Sequence, residues 1–210
     1  MALDGAVFPY RAGQAASLAA GSANGWTPYS IASAPGETAR DGALEFLVKV
    51  DGSSRFGRLV DGLALGDRVR VEGPAGNFTL SDALPATPLL FIAGGTGIAP
   101  LRSMIRDLVE AGHAGPLALV YSARTPGEFA YLPELRRLAD EGRLALILTL
   151  TGDAADWEHA RGRTGPDHLS DLVTPETLAY ICGPPAMVKD VPGALSAMGL
   201  PRARIRTEDW

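Results

Sequence analysis

Two strand-to-turn segments carry the residue types best suited to holding a phosphorylated ligand. In Leu89-Leu90-Phe91-Ile92-Ala93-Gly94-Gly95-Thr96-Gly97-Ile98-Ala99-Pro100, an apolar run empties into glycines that lead straight into a helix. Glycines let the backbone approach a ligand closely, and the unpaired N–H groups at a helix start attract a pyrophosphate. A nucleotide phosphate site is the natural reading, against the plainer one that Gly-Gly only turns the chain. The spacing departs from Gly-x-Gly-x-x-Gly, so the ordinary dinucleotide fingerprint is not present. The second segment, Leu178-Ala179-Tyr180-Ile181-Cys182-Gly183-Pro184-Pro185, also ends a strand in a tight turn before a helix. Ligands of open α/β sheets bind outside the carboxyl ends of strands, so Gly94–Gly97 and Gly183–Pro184 are expected to face one crevice.

Single residues near these turns have two readings each. Cys182 taken alone is a small buried hydrophobe; its place at a strand end gives it a second role beside a ligand. Arg124, after the strand ending near Tyr121, meets a ribose 2′-phosphate, stacks on adenine, or is a surface residue ahead of a helix. Tyr131 either stacks on a base or packs under that helix. His113, His159 and His168 sit in polar contexts and are assigned no role, and no Ser–His–Asp or metal constellation is evident.

These residues need a scaffold, and the chain has two periodicities. From Ala15 to about Leu80 the apolar runs are short and separated by turn residues, as in Tyr29–Ser33, Leu44–Val50 and Arg68–Val71, which predicts a compact antiparallel β unit. One helical stretch, Phe56 to Leu63, interrupts it, with Phe56, Leu59, Val60 and Leu63 on one face. After Ser81–Pro88 the pattern becomes strand, turn, amphipathic helix, repeated. Strands are expected at Leu89–Ala93, Leu117–Tyr121, Leu144–Leu150, Leu178–Cys182 and around Ile205, with a helix from Pro100 to Ala111. A domain boundary near Leu84 follows, giving units 1–84 and 85–210.

Bulk composition narrows the function classes. The 210 residues are 46% hydrophobic and 20% charged, ordinary for a globular chain. A net charge of −5 removes the footprint that nucleic-acid binding needs. One cysteine excludes an internal disulfide, a four-cysteine zinc site and a cysteine-ligated iron–sulfur cluster. Without a signal-like N-terminus or an 18-residue apolar window, a cytoplasmic protein with no membrane span is expected.

A third segment, Thr27-Pro28-Tyr29-Ser30-Ile31-Ala32-Ser33, followed by Gly66-Asp67-Arg68-Val69 and Gly73-Pro74-Ala75-Gly76-Asn77-Phe78, completes a set. With all three segments in this order, the chain resembles the ferredoxin–NADP reductase superfamily from about Ala12 to Trp210. The resemblance implies an α/β plus all-β fold: an antiparallel flavin-binding β-barrel followed by a Rossmann-like parallel-sheet nucleotide-binding domain. It implies FAD and NAD(P)H as cofactors, with NADPH preferred because Arg124 suits a 2′-phosphate. Tyr29 would lie against the isoalloxazine ring and Ser30 near flavin N5, while Leu47, Val48, Lys49, Arg55, Phe56 and Gly57 would hold the rest of the flavin. Gly94, Gly95, Thr96 and Gly97 would receive the nucleotide pyrophosphate and ribose. Cys182, with Gly183 and Pro184, would sit beside the nicotinamide, and Glu208 and Trp210 would fill the family's C-terminal acidic and aromatic positions. Ser30, Cys182 and Glu208 are thus the expected catalytic set.

The chain departs from the family in three places, one being that no ferredoxin-type cysteine cluster is attached, so a one-electron carrier is expected to be a separate protein. Thr27 stands where an arginine pairs the flavin phosphate, which predicts modest flavin affinity, with Arg55 or Arg58 as substitutes. Only eleven residues precede Ala12, which predicts a barrel short of its first strand, its open edge inviting a second copy or an upstream subunit. The expected activity is hydride transfer from NAD(P)H to FAD and electron delivery to a separate acceptor such as a ferredoxin, a flavodoxin or a small molecule. Two rivals stay open: an electron-transfer subunit of a larger complex, and a nucleotide-binding module that has lost flavin.

Overall fold

The computed structural model describes residues 1–20, 25–50, 57, 60–82, 84 and 86–209. The expected helix over 56–63 falls largely outside them; Gly57, Val60 and Asp61 are helical. Arg55, Phe56, Arg58 and Trp210 also lie outside the described residues.

In the N-terminal half, β1 (Ala15–Ala20) pairs antiparallel with both β2 (Thr27–Ser30) and β3 (Val69–Ala75), giving the order β2-β1-β3. The register sets Ala15 opposite Ser30 and Ala16 opposite Tyr29. A short helix, α1 (Pro35–Asp41), follows β2. It starts where Pro35 supplies a preset φ and the Ala34 N–H donates to the Glu37 carboxylate at 2.8 Å, and it stops at Gly42 with φ 64°. Nothing in the period-2 reading of this half foresaw it.

The segment expected to be a strand over Leu44–Val50 makes one isolated bridge among the described residues, Ile31 to Phe46, with a second, Ala2 to Ala43, just ahead of it. Its alternation survives. Leu44, Phe46 and Val48 pack on the barrel clusters around Ile31 and Leu18, whereas Leu47 packs against the core of the other half. Leu47, Val48 and Lys49 also line a cavity.

The C-terminal half is a six-stranded parallel sheet in the order β7-β6-β5-β4-β8-β9. Its strands are β4 (Leu89–Gly94), β5 (Leu117–Ala123), β6 (Ala145–Leu150), β7 (Ala160–Arg161), β8 (Leu178–Gly183) and β9 (Ile205–Asp209). Helices α2 (Ile98–Glu110), α3 (Leu132–Asp140), α4 (Pro166–Leu169) and α5 (Pro185–Ala197) connect them. Helix α2 begins two residues before Pro100, because the first four N–H groups of a helix have no partner and a proline there forfeits nothing. β4, β5 and β8 are buried along their whole lengths, as a sheet covered on both faces requires. One face carries Phe91, Leu101, Ile105, Leu119 and Tyr180 together with Ala12 and Phe78 of the barrel half; the other carries Ile92, Val120, Ile181, Val191 and Leu195. The halves are therefore joined through a shared core, with Phe78 edge-on to Tyr180 at 5.8 Å.

Candidate functional site

The strand order reverses between β4 and β8, and there the two glycine turns meet. A Cβ on Gly97 would lie 2.3 Å from the Cys182 carbonyl oxygen, one on Gly94 2.6 Å from Pro184 Cδ, and one on Gly183 3.0 Å from the Gly94 nitrogen. Three of these glycines thus serve to press the two turns together. Gly95, at φ 55°, uses the left-handed region, and Gly95 and Thr96 remain half-buried beside open space. The Tyr121 hydroxyl, fully buried at the side-chain level, donates to the Gly95 carbonyl at 3.0 Å and accepts from the Ala130 N–H at 3.2 Å. Burial pushes this phenol well up, so it stays protonated as a donor.

Outside these turns lies a cavity of about 910 Å³. Gly94, Gly95 and Thr96 line it at the start of α2, and Pro184, Ala186 and Met187 at the start of α5. Leu47, Val48 and Lys49 come from the barrel half. Its far end is formed by Ser122, Ala123 and Arg124 at the end of β5, Thr151 and Gly152 after β6, and Gly162, Arg163 and Thr164 after β7. Lys49, Arg124 and Arg163 supply three cations against Glu128 and Asp190, in a chain whose net charge is −5. Helix N-termini, cations and an apolar wall together suit a long, flat, anionic ligand.

Arg163 and Thr164 were missed in the sequence. The Arg161-Gly162-Arg163-Thr164-Gly165 run carried a usable signal, glycines interleaved with cations after a strand-like stretch. The loop is fixed to the sheet by Thr149 Oγ1, which donates to the Gly162 carbonyl at 2.8 Å, and by Trp157 Nε1, which donates to the Ala160 carbonyl at 2.8 Å. Trp157 also stacks on Phe129 at 5.4 Å and 11°, tying this loop to the one after β5. Among the described residues Thr164 Oγ1 is buried with no hydrogen-bond partner, a hydroxyl left for a ligand.

Other expected site residues fall elsewhere. Tyr29 is half-buried against Leu18, and Ser30 lies opposite Ala15; neither lines this cavity. Cys182 is 2% exposed within the core, and burial pushes its thiol far up from the ordinary value. It sits opposite Glu208 in the β8–β9 pairing. Burial, and after it the neighbouring Asp209, push the Glu208 carboxyl up to about 7. Neither Cys182, Gly183, Gly97 nor Glu208 lines the cavity. Gly57 is buried and helical. Tyr131 is not at the wall of this cavity; its ring covers the Arg102 guanidinium at 4.5 Å, the packing reading of this residue. Among the described residues no group of three or more His, Cys, Asp or Glu is placed to hold a metal, and no helix is long and apolar enough to cross a membrane.

Comparison with known proteins places both halves. The oxidoreductase FAD-binding domain family matches residues 3–80, and the oxidoreductase NAD-binding domain family matches residues 91–192. Ferredoxin–NADP reductase B of Sorangium cellulosum is 35% identical over 220 residues, covering 99% of this chain and 88% of the relative. The reductase component of propane 2-monooxygenase from Mycolicibacterium smegmatis is 30% identical over 207 residues, covering 94% of this chain. This chain spans 58% of that relative's length. Among solved structures, the Amycolatopsis cytochrome P450 reductase GcoB superposes with a TM-score of 0.83 at 28% identity, covering 95% of this chain and 61% of that one.

Proposed function

The chain belongs to the ferredoxin–NADP reductase superfamily, and we propose that it takes a hydride from NAD(P)H onto bound FAD and passes the electrons to a separate redox partner. The observation that carries this reading is the cavity that runs from Leu47–Lys49 of the FAD-binding half to the glycine turns of the NAD-binding half. FAD, when bound, supplies the hydride acceptor and a store for two electrons. The chain's own residues bind and orient, since hydride transfer needs the donor and acceptor atoms held in close contact and no acid–base dyad.

We divide the roles at Leu84. Residues 1–84 hold the flavin, with Tyr29 and Ser30 of β2 beside the ring and the Leu47–Lys49 backbone along its edge. Residues 85–210 hold the nucleotide. Gly95 and Thr96 receive the pyrophosphate at the start of α2, and Lys49 adds a cation from the opposite wall. Arg124, Arg163 and Thr164 take the adenosine end, where two guanidiniums favour the extra phosphate of NADPH over the free diol of NADH. The acceptor is a separate redox partner, a reading supported by relatives named as reductase components of propane and phenol monooxygenases.

Anaerobic addition of NADPH or NADH to the FAD-loaded protein tests the reading: bleaching of the flavin supports it, and flavin that stays oxidised with both contradicts it. Arg124→Ala and Arg163→Ala should raise the KM for NADPH more than for NADH, and equal effects would remove the 2′-phosphate assignment.

A further inference from the structure

We propose that Arg102 is a positioning residue that sets the distance between the two cofactors, by clamping the flavin-binding half onto the helix that begins at the nucleotide turn. The proposal rests on the hydride-transfer reading above. Arg102 lies five residues beyond Gly97, on α2, and its side chain is only 8% exposed. Its fork is held from within its own half: Nε and Nη2 both donate to Glu134 Oε2 of α3, at 3.0 and 2.8 Å. The Tyr131 ring covers the guanidinium plane at 4.5 Å, and Tyr131 adopts φ 60° to place it there. A non-glycine residue keeps that backbone only where its surroundings over-determine it.

The remaining nitrogen crosses to the other half. Nη1 donates to the Ala32 carbonyl at 2.8 Å and to Glu45 Oε2 at 3.1 Å. Ala32 is two residues past Ser30, and Glu45 is two residues before Leu47, so one guanidinium reaches just past the end of one proposed flavin-facing segment and just before the start of the other. Neighbouring contacts repeat the pattern. Ser103 Oγ donates to the Ser33 carbonyl at 2.6 Å, and Arg106 pairs with Glu37 of α1 while also meeting Glu134 at 3.5 Å. Two arginines and three carboxylates thus bind the halves at one point along α2. That helix carries the pyrophosphate turn at its start, so any slip at Arg102 moves nicotinamide relative to flavin.

A planar fork is required. Lysine would keep the charge but not the simultaneous contact with Glu134, Glu45 and a carbonyl. A clamp of this kind differs from a stability contact in what it controls: it governs geometry between halves, not the occupancy of either site.

The test compares Arg102→Gln, Arg102→Lys and the milder Ser103→Ala with wild type, by three readouts. The limiting rate of flavin reduction at saturating nucleotide should fall roughly ten- to a hundredfold in Arg102→Gln, since a misplacement of about 1 Å has that effect. Arg102→Lys should be intermediate, and Ser103→Ala should move the same way by a smaller factor. FAD content and nucleotide Kd should stay within about twofold of wild type, placing the change in kcat and not KM. The long-wavelength charge-transfer absorbance between nicotinamide and flavin should weaken in parallel, and calorimetric melting without added nucleotide should split into two transitions as the halves uncouple. A reduction rate unchanged in Arg102→Gln, or one lowered only as far as FAD or nucleotide is lost, with a single undivided transition, would overturn the proposal. If wild type itself is not reduced, the hydride-transfer reading fails, and the splitting of the melt in Arg102→Gln and Ser103→Ala still decides whether Arg102 clamps the halves.

Discussion

The Gly97 backbone is packed so tightly against Cys182 that a methyl group at Gly97 would come within 2.3 Å of the Cys182 carbonyl oxygen. That carbonyl belongs to a central strand buried on both faces and cannot yield. Gly97→Ala must therefore push the β4 turn away from β8, costing about 2 kcal/mol of stability or more. Nucleotide affinity should drop about tenfold with FAD content unchanged, read by titration of the FAD-loaded variant. Normal nucleotide affinity in Gly97→Ala would show that the turn does not shape the phosphate site.

Cys182 should behave as an inert core thiol. Only the thiolate is nucleophilic, and here burial first, then Glu208 and Asp209, disfavour that form. Alkylation of the native protein at mildly alkaline pH should be at least about a hundredfold slower than of the unfolded chain. Labelling at the rate of a free peptide thiol would contradict the buried placement and reopen a reactive role for this residue.

Glu208 should make stability depend on pH. Its folded carboxyl is raised to about 7, so folding takes up a proton between the unfolded value, about 4.3, and 7. The contribution is fully present below the unfolded value and is lost as pH rises through the folded one. Glu208→Gln should accordingly be the more stable protein above neutrality, by about 1 kcal/mol once partial exposure is discounted, with the difference vanishing below about pH 4. Parallel melting curves of the two proteins across that range, with no divergence, would place the carboxyl in water.

Tyr29 should hold flavin through its ring and not its hydroxyl. Tyr29→Ala should lose FAD on gel filtration, while Tyr29→Phe retains it. Equal FAD content in Tyr29→Ala and wild type would remove Tyr29 from the flavin site.

How far these residues could be read from sequence followed from how local their signals were. The strand-turn-helix units around Gly94–Pro100 and Cys182–Pro185 were legible because both faces of β4 and β8 are buried, which writes an unbroken apolar run ahead of the glycines. That the two turns share one crevice was legible from the strand-order rule. Helix α1 was not, because its seven residues depend on Pro35, the Glu37 cap and burial of Thr38, with no apolar stripe to mark it. The Leu44–Val50 run misled in the opposite way: it alternates because it separates two cores, and among the described residues it makes only the Ile31–Phe46 bridge. Arg102 and Glu134 escaped notice since an ion pair between helices 32 positions apart leaves no periodic mark. The aromatic character of Tyr131 suggests base stacking, and nothing in its local sequence marks the Arg102 guanidinium that its ring covers.

The central claim is direct hydride transfer between two cofactors held in the two halves. Its most direct test is anaerobic stopped-flow reduction of the FAD-loaded protein by NADPH or NADH carrying deuterium at the transferable C4 position. The account predicts rapid loss of the oxidised flavin spectrum and a primary isotope effect on that phase of about two or more, the mark of a C–H bond broken as flavin is reduced. Flavin that binds yet stays oxidised with both nucleotides would contradict it.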